Sequence, residues 1–265
     1  MPAPDLISVS TLARLIGGPD SPRIIDVREP PGTHRIPAAT RHLPTVADAR
    51  AIVVDESGGA AAHAAAARLR HDGIAAEVLE GGQTAWAAAG LPLVPEAALV
   101  RDGEDRTLWV TRSRPKVDRI ACPWLIRRFV DPHAVILFVP PGEVAGVAER
   151  TGAAPFDIAA DGVRWTHQGE LCTFDALIEG LGLTGITPLA LLAPIVRGAD
   201  TARPDLAPEA AGLLAVSLGL SRLHADDHCQ LEAGMAVYDA LYRWARDARE
   251  EKHDWTSHQP RGSRA

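Results

Sequence analysis

Two groups of residues in this chain have the types and spacing to do chemistry. The first is rich in acids and histidine. His167 lies near Glu170 and Cys172, with Asp157 and Asp161 upstream. Further on, Asp226, Asp227 and His228 stand together, and Glu232 follows one helical turn beyond His228. Two imidazoles with several carboxylates suit a divalent metal such as Zn, Fe or Mn. The candidate ligands are His167, Asp227, His228 and Glu232. His224, His228 and Glu232 recur at i, i+4, i+8 and would share a face if the helix starts early. The competing reading is structural, with the acids favouring the positive end of a helix and His228 bonding locally. No HExxH or paired CxxC spacing decides between the two.

The second group is cationic. Arg112, Arg114, Lys116, Arg119, Arg127 and Arg128 crowd one stretch against a single anion, Asp118, in a chain of net charge −7. Arg112, Arg114, Lys116 and Arg119 could converge on a tetrahedral oxyanion such as chromate or sulfate through charge-assisted hydrogen bonds. Alternatively they form a solvated basic face or ion-pair with the acidic last helix. Arg127 and Arg128 are adjacent, so at most one belongs to such a site.

The elements that must hold these groups can be read from periodicity. Leu108 to Thr111 is a short strand-like run, a basic loop follows, and a helix then stops at Val130 because Pro132 pushes Asp131 out of the helical region. Asp118 could cap that helix, or Cys122 could precede a start at Pro123. Cys122, Leu125, Ile126 and Phe129 form its apolar stripe, so Cys122 points inward as a core thiol. Val135 to Val139 reads as a buried strand. A helix follows from Ala145, then a half-buried strand over Val163 to His167 and a helix from Thr173, its cap, to Gly180, closed by Gly182. Three further helices are expected over 188–197, 208–219 and about 226–250.

The first 96 residues alternate strand and helix. Arg23 to Arg28, Ala51 to Val54 and Ala75 to Leu79 are strands, and an alanine-rich helix runs from Ala60 to His71, stopped by Asp72-Gly73. Such alternation predicts a parallel sheet with helices on both faces. The expected organisation is a domain over 1–96, a charged linker over 97–106, a second domain over 107–250 and a disordered tail over 251–265. At 265 residues two domains are the natural expectation.

Mild net acidity argues against a generic nucleic-acid binder, and no helix-turn-helix pattern stands out. No signal segment or membrane-spanning run is visible. Three widely spaced cysteines, Cys122, Cys172 and Cys229, read as reduced thiols of a cytoplasmic protein.

The run TRSRPKVDRIACPWLIRRFVDP resembles the opening signature of the C-terminal domain of the chromate-resistance protein ChrB. Three later pieces resemble the same family in order: FDI…VRWTHQGELCTFDALI, APIVRGADTARPDLAPEAAGLLAVSLGL and DDHCQLEAGMAVYDALYRW. The resemblance covers about residues 107–246. It implies signature roles for Asp227, His228, Tyr238 and Asp239; at Asp200 the family's histidine-aspartate flavour is broken by Arg197.

Residues 24–29 (IIDVRE), 34–39 (HRIPAA), the loop after Val54, and 79–94 (LEGGQTAWAAAGLPLV) resemble a rhodanese domain. In that family the loop carries a nucleophilic cysteine, but here Asp55 holds its position. A carboxylate cannot carry a sulfane sulfur, and Asp55-Glu56 would repel an anionic donor. Sulfurtransferase activity is therefore not expected, and a scaffolding or docking role is.

The fold class expected is thus α/β: a rhodanese-like parallel sheet, then an α+β domain ending in a helical bundle. The function expected is a cytoplasmic chromate-resistance or chromate-stress protein that binds an oxyanion or metal. The alternative is a metal-dependent redox or hydrolytic enzyme centred on His167, Asp227 and His228. A sulfur-carrier or regulatory protein is the partner the first domain would dock.

Overall fold

A computed structural model describes residues 5–45 and 50–251. The tail over 252–265 lies outside them. The first half is built on β1 (Leu6–Ile7), α1 (Val9–Leu15), β2 (Arg23–Asp26), β3 (His34–Arg35), β4 (Ala39–Thr40), β5 (Ala51–Val54), α2 (Ala60–His71), β6 (Ala76–Leu79), α3 (Gly82–Ala88) and β7 (Val94–Pro95). Strands β1-β6-β5-β2-β4 form a five-stranded parallel sheet in that order. Period-two alternation divides its side chains. Ile24, Ile52 and Val54 pack with Leu12 of α1 and Trp86 of α3, while Ile25, Val53 and Val78 pack with Ala62, Ala66 and Leu69 of α2. Both faces are covered, as a parallel sheet requires.

The second half contains β8 (Leu108–Arg112), α4 (Val117–Phe129), β9 (Val135–Val139), α5 (Val144–Thr151), β10 (Ala154–Pro155), α6 (Thr173–Gly180), α7 (Thr187–Asp200), α8 (Ala210–Leu223) and α9 (Asp227–Asp247). A small parallel sheet, ordered β10-β8-β9, leads into a C-terminal helical region. Helix α4 is its axis. Ten of its thirteen residues are buried, and Arg119, Arg127 and Arg128 are the three that are not. It runs through Pro123 rather than starting there, and Lys116 rather than Asp118 is its N-cap. Asp118 sits in the first turn, where a negative side chain is favoured, and points inward.

Three expectations are corrected. Residues 163–167 form no strand but only an isolated bridge between Phe156 and Trp165. Thr173 is the first residue of α6, and Cys172 is its cap, with the Asp175 carboxylate accepting the Cys172 backbone N–H. Strand β9 is half-buried, with only Ile136 fully enclosed.

The segment after β7 is packed against its neighbours. Glu96 pairs with Arg35 and Arg101, and Arg101 bridges to Thr107. One hydrophobic cluster runs from Ile7 and Leu12 through α4 to Tyr242. The two halves are also joined by backbone contacts: Ala38 donates to the Phe129 carbonyl at 2.8 Å and Arg35 to that of Val130 at 3.3 Å. Among the described residues, no helix is long and apolar enough to cross a membrane.

Candidate metal centre

Four loops and helix ends converge on one imidazole. Strand β8 delivers the chain to α4, whose first turn turns Asp118 inward to 1% exposure. Next to β10, Thr111 donates to the Phe156 carbonyl at 2.8 Å, which fixes the turn that presents Asp157 at φ 51°. The bridge at Trp165 then leads to His167, and the C-terminus of α7 supplies Asp200. His167 Nε2 lies 3.5 Å from Asp118 Oδ2, 3.5 Å from Asp157 Oδ1 and 3.2 Å from Asp200 Oδ2. One ligand atom each from Asp118, Asp157 and His167 lie within 4.8 Å of one another.

The surroundings orient these acids. Thr173 donates its N–H to Asp118 Oδ2 at 2.7 Å and its hydroxyl to Asp157 Oδ1 at 3.1 Å. The Asp118 N–H reaches Asp200 Oδ1 at 3.4 Å. Arg112 and Arg119 both face Asp157 Oδ2, at 3.1 and 3.2 Å. Asp118 Oδ1 is left buried with no hydrogen-bond partner, which is rare for a carboxylate oxygen.

The electrostatics follow from burial and crowding. The hydrogen bond to Asp118, aided by the charges of Asp200 and Asp157 and opposed by desolvation, raises the His167 pKa to about 9. Burial, with the nearby charges of Asp118 and Asp157, pushes Asp200 up to about 7. Burial also raises Asp118, against the His167 hydrogen bond that favours its ionised form. Cys172 and Cys122 border the cluster, and burial pushes both thiols upward.

The remaining candidate residues are placed elsewhere. The acids paired with His167 are Asp118, Asp157 and Asp200; Asp227, His228 and Glu232 belong to the seam between α9 and the basic segment. Asp227 accepts the Arg114 N–H at 3.0 Å, the His228 ring packs edge-on against Phe138 with centroids 5.3 Å apart, and Glu232 pairs with Arg127. His224 is the C-cap of α8 and shares no helical face with His228. Of the four cations, Arg112 and Arg119 border the cluster. Arg114 spends its guanidinium on the carbonyls of Ser221, His224 and Ala225, and Lys116 is exposed at the start of α4. Tyr238 donates to the Val117 carbonyl at 2.9 Å, and Asp239 pairs with Arg128, so both brace α4.

Comparison with known proteins bears on the half that carries this cluster. The family model described as ChrB, C-terminal domain, matches residues 109–245. The chain belongs to the ChrB C-terminal domain family. It is also similar to Protein ChrB of Cupriavidus metallidurans, 39% identical over 135 residues, covering 51% of this chain and 39% of that protein. The match therefore spans well under half of that relative's length. No solved structure matches. Asp118, Asp157, His167 and Asp200 all fall inside the region matched to the ChrB family, whereas Asp55 lies outside it.

Outside that region, the Asp55 carboxylate fills a ring of donors. It accepts the backbone N–H groups of Ser57, Gly58, Gly59 and Ala62 at 2.5 to 3.1 Å. Desolvation opposes its ionisation, but these four bonds prevail and lower its pKa.

Asp118 is not among the candidates that the sequence brings to His167. The one available signal was its isolation, a lone acid among six cations that pairs with none of them.

Proposed function

We propose that this is a chromate-stress protein whose ChrB-type domain binds a divalent first-row metal on Asp118, Asp157 and His167, with Asp200 completing the site. The observation that carries this reading is the convergence of three carboxylates on one imidazole nitrogen beside the buried, unpartnered Asp118 Oδ1. Metal–ligand bonds of about 2.1 Å set neighbouring ligand atoms roughly 3.0–3.4 Å apart in octahedral or tetrahedral geometry. The 3.2 to 3.5 Å separations around His167 Nε2 fit that spacing. Three oxygen ligands and one nitrogen suit Mn or Fe(II) at least as well as Zn. A cation there would replace the proton that His167 otherwise holds.

A small oxyanion, chromate or sulfate-like, is proposed as the second ligand, bound through Arg112 and Arg119 rather than Arg114 and Lys116. Support comes from the position of both guanidiniums on Asp157 and from the Arg112 Nε, which has no partner. The activity proposed is metal-dependent, redox or hydrolytic, with the metal polarising the anion. The N-terminal half is proposed to be a rhodanese-like fold without sulfurtransferase activity, serving to dock a protein partner. Asp55 supports this, because it occupies the donor ring that a persulfide would need.

The test is elemental analysis of protein purified without a metal-affinity tag, with titration of Mn²⁺, Fe²⁺ and Zn²⁺ into the chelated chain. Near-stoichiometric metal that is lost in Asp118→Asn and His167→Ala, and kept in His228→Ala, is expected. A folded wild-type chain that takes up none of the three ions overturns the proposal.

A further inference from the structure

The loop between β8 and α4 and the last turns of α8 enclose a cavity that the metal cluster does not use. Its volume is about 520 Å³, and it is lined by Arg114, Lys116, Leu218, Gly219, Ser221 and Arg222. Cavities of that size hold small organic molecules, and a bare oxyanion would leave most of it empty. On α8 the spacings 218/221, 218/222 and 219/222 are three or four residues, which puts all four helix residues on one side.

The charges of this cavity are not answered by the chain. Arg114 directs its guanidinium at the carbonyls of Ser221, His224 and Ala225, neutral acceptors that fix the cation without cancelling it. Asp227 takes the Arg114 backbone N–H at 3.0 Å and not its guanidinium. Among the described residues, Lys116 and Arg222 enter no ion pair, and both are exposed. Elsewhere on α4 the same acidic chain does pair its cations, Arg127 with Glu232 and Arg128 with Asp239. Arg114 also takes a left-handed backbone, φ 57°, which a residue with a Cβ resists and which ligand clamps are known to hold.

The polar groups offered to the cavity are donors. Ser221 is only 7% exposed; its Oγ accepts from Arg114 at 3.4 Å, and among the described residues its own proton has no acceptor. Ammonium and guanidinium groups donate and never accept, so an occupant must bring acceptors and negative charge. Beside them Leu218 is 44% exposed, and a Cβ at Gly219 would touch nothing within 4 Å, which leaves an open apolar floor. We infer that the cavity binds a small phosphate monoester. Lys116, Arg222 and the Ser221 hydroxyl take the phosphate oxygens, the Arg114 charge adds to the field, and the ester's apolar body lies over Leu218 and Gly219. A monoester carries nearly two charges and three strong acceptor oxygens at neutral pH, which matches this set better than a single carboxylate does. The site needs no metal and is separate from the cluster around His167.

Isothermal titration of phenyl phosphate into the full chain, stripped of metal and dialysed free of chelator, tests this. Phenyl phosphate should bind once per chain and at least tenfold more tightly than inorganic phosphate, because its ring buries apolar area. Lys116→Ala and Arg222→Ala should each weaken it about tenfold, the loss of one charge-assisted hydrogen bond. Gly219→Phe fills the cavity and keeps every charge, so it should abolish binding with an unchanged circular dichroism spectrum. Arg112→Ala should leave binding as it is. A wild-type chain that binds no phenyl phosphate overturns the inference, and equal affinities for the two phosphates overturn the assignment to an ester. Binding that survives Gly219→Phe would be diffuse attraction to a basic surface, and binding lost in Arg112→Ala would belong to the metal cluster. A random-sequence oligonucleotide that binds more tightly than phenyl phosphate, and is lost in the same variants, would make this a polynucleotide surface instead.

Discussion

The backbone N–H of Asp118 donates to Asp200 Oδ1 at 3.4 Å, joining the start of α4 to the end of α7 across 82 residues. The same two carboxylates flank His167 Nε2. A buried and a half-buried acid so close are costly without a cation, and a metal bound to the native state adds stability by mass action. Chelated wild-type protein should gain roughly 2.7 kcal/mol when metal is added to a hundredfold excess over Kd. Asp118→Asn keeps the shape and removes the charge, so its melting temperature in chelator should stay near wild type. Its response to added Mn²⁺ should vanish. Thermal melts with and without metal check both halves; a variant that still responds fully would show that Asp118 is no ligand.

Asp239 makes a different kind of junction. It accepts the Trp124 indole N–H at 2.8 Å and the Arg128 guanidinium at 2.8 Å through both oxygens. Trp124 is fully buried and stacks among Phe129, Phe174, Tyr238 and Tyr242. Asp239→Ala strands a buried donor and a half-buried cation together, a loss of about 3–5 kcal/mol. Asp239→Asn retains an acceptor for the indole and should cost less than half as much. Urea denaturation ranks the two; equal losses would mean that the charge of Asp239 alone matters.

Local features were legible in the chain and long-range ones were not. Helix α2 was read at Ala60–His71 because the alanine run ends at a turn dipeptide, a purely local signal. His167 was a candidate ligand for the same reason, with Asp157 noted ten residues upstream but left out of the candidate set. Asp118 and Asp200 did not pair with them on paper, since they come from α4 and α7 and meet only when the helices pack. The spacing of His228 and Glu232 correctly put them on one helix, but spacing does not say whether a face looks inward. Both are exposed, and Glu232 is committed to Arg127. The 163–167 stretch alternates as a strand would, yet no strand lies alongside it beyond the single bridge at Trp165.

Asp55 gives a pH dependence whose sign is set by its four N–H donors. They favour the carboxylate against desolvation, so its folded pKa lies below the unfolded value. Its stabilisation is therefore fully present above about pH 4, the unfolded carboxylate value, and is lost as pH falls through the folded one. Asp55→Asn should be less stable by about 2–4 kcal/mol at neutral pH, since hydrogen bonds to a charged acceptor are lost or weakened. The gap to wild type should narrow steadily below pH 4. Chemical denaturation of both proteins over that range tests it, and a gap independent of pH would assign the loss to shape alone.

The two halves are closely packed at Gly17. It closes α1 at φ 93°, and a Cβ there would collide with the Phe129 ring and come within 2.9 Å of Tyr242 Cζ. Both rings are buried, and Phe129 packs edge-on against Tyr242 with centroids 5.4 Å apart, so neither can yield without opening a gap against Trp124. Gly17→Ala combines a left-handed backbone that alanine resists with overpacking of about 1–3 kcal/mol. Gly18→Ala next to it meets nothing within 4 Å and serves as the control. Gly17→Ala should lower the unfolding midpoint and Gly18→Ala should leave it near wild type. If the two halves share one cooperative core, the loss should appear equally in Trp fluorescence, which reports mainly on the second half, and in far-ultraviolet dichroism, which reports on both. Two separate transitions in the variant would show instead that α1 detaches while α4 and its partners stay folded.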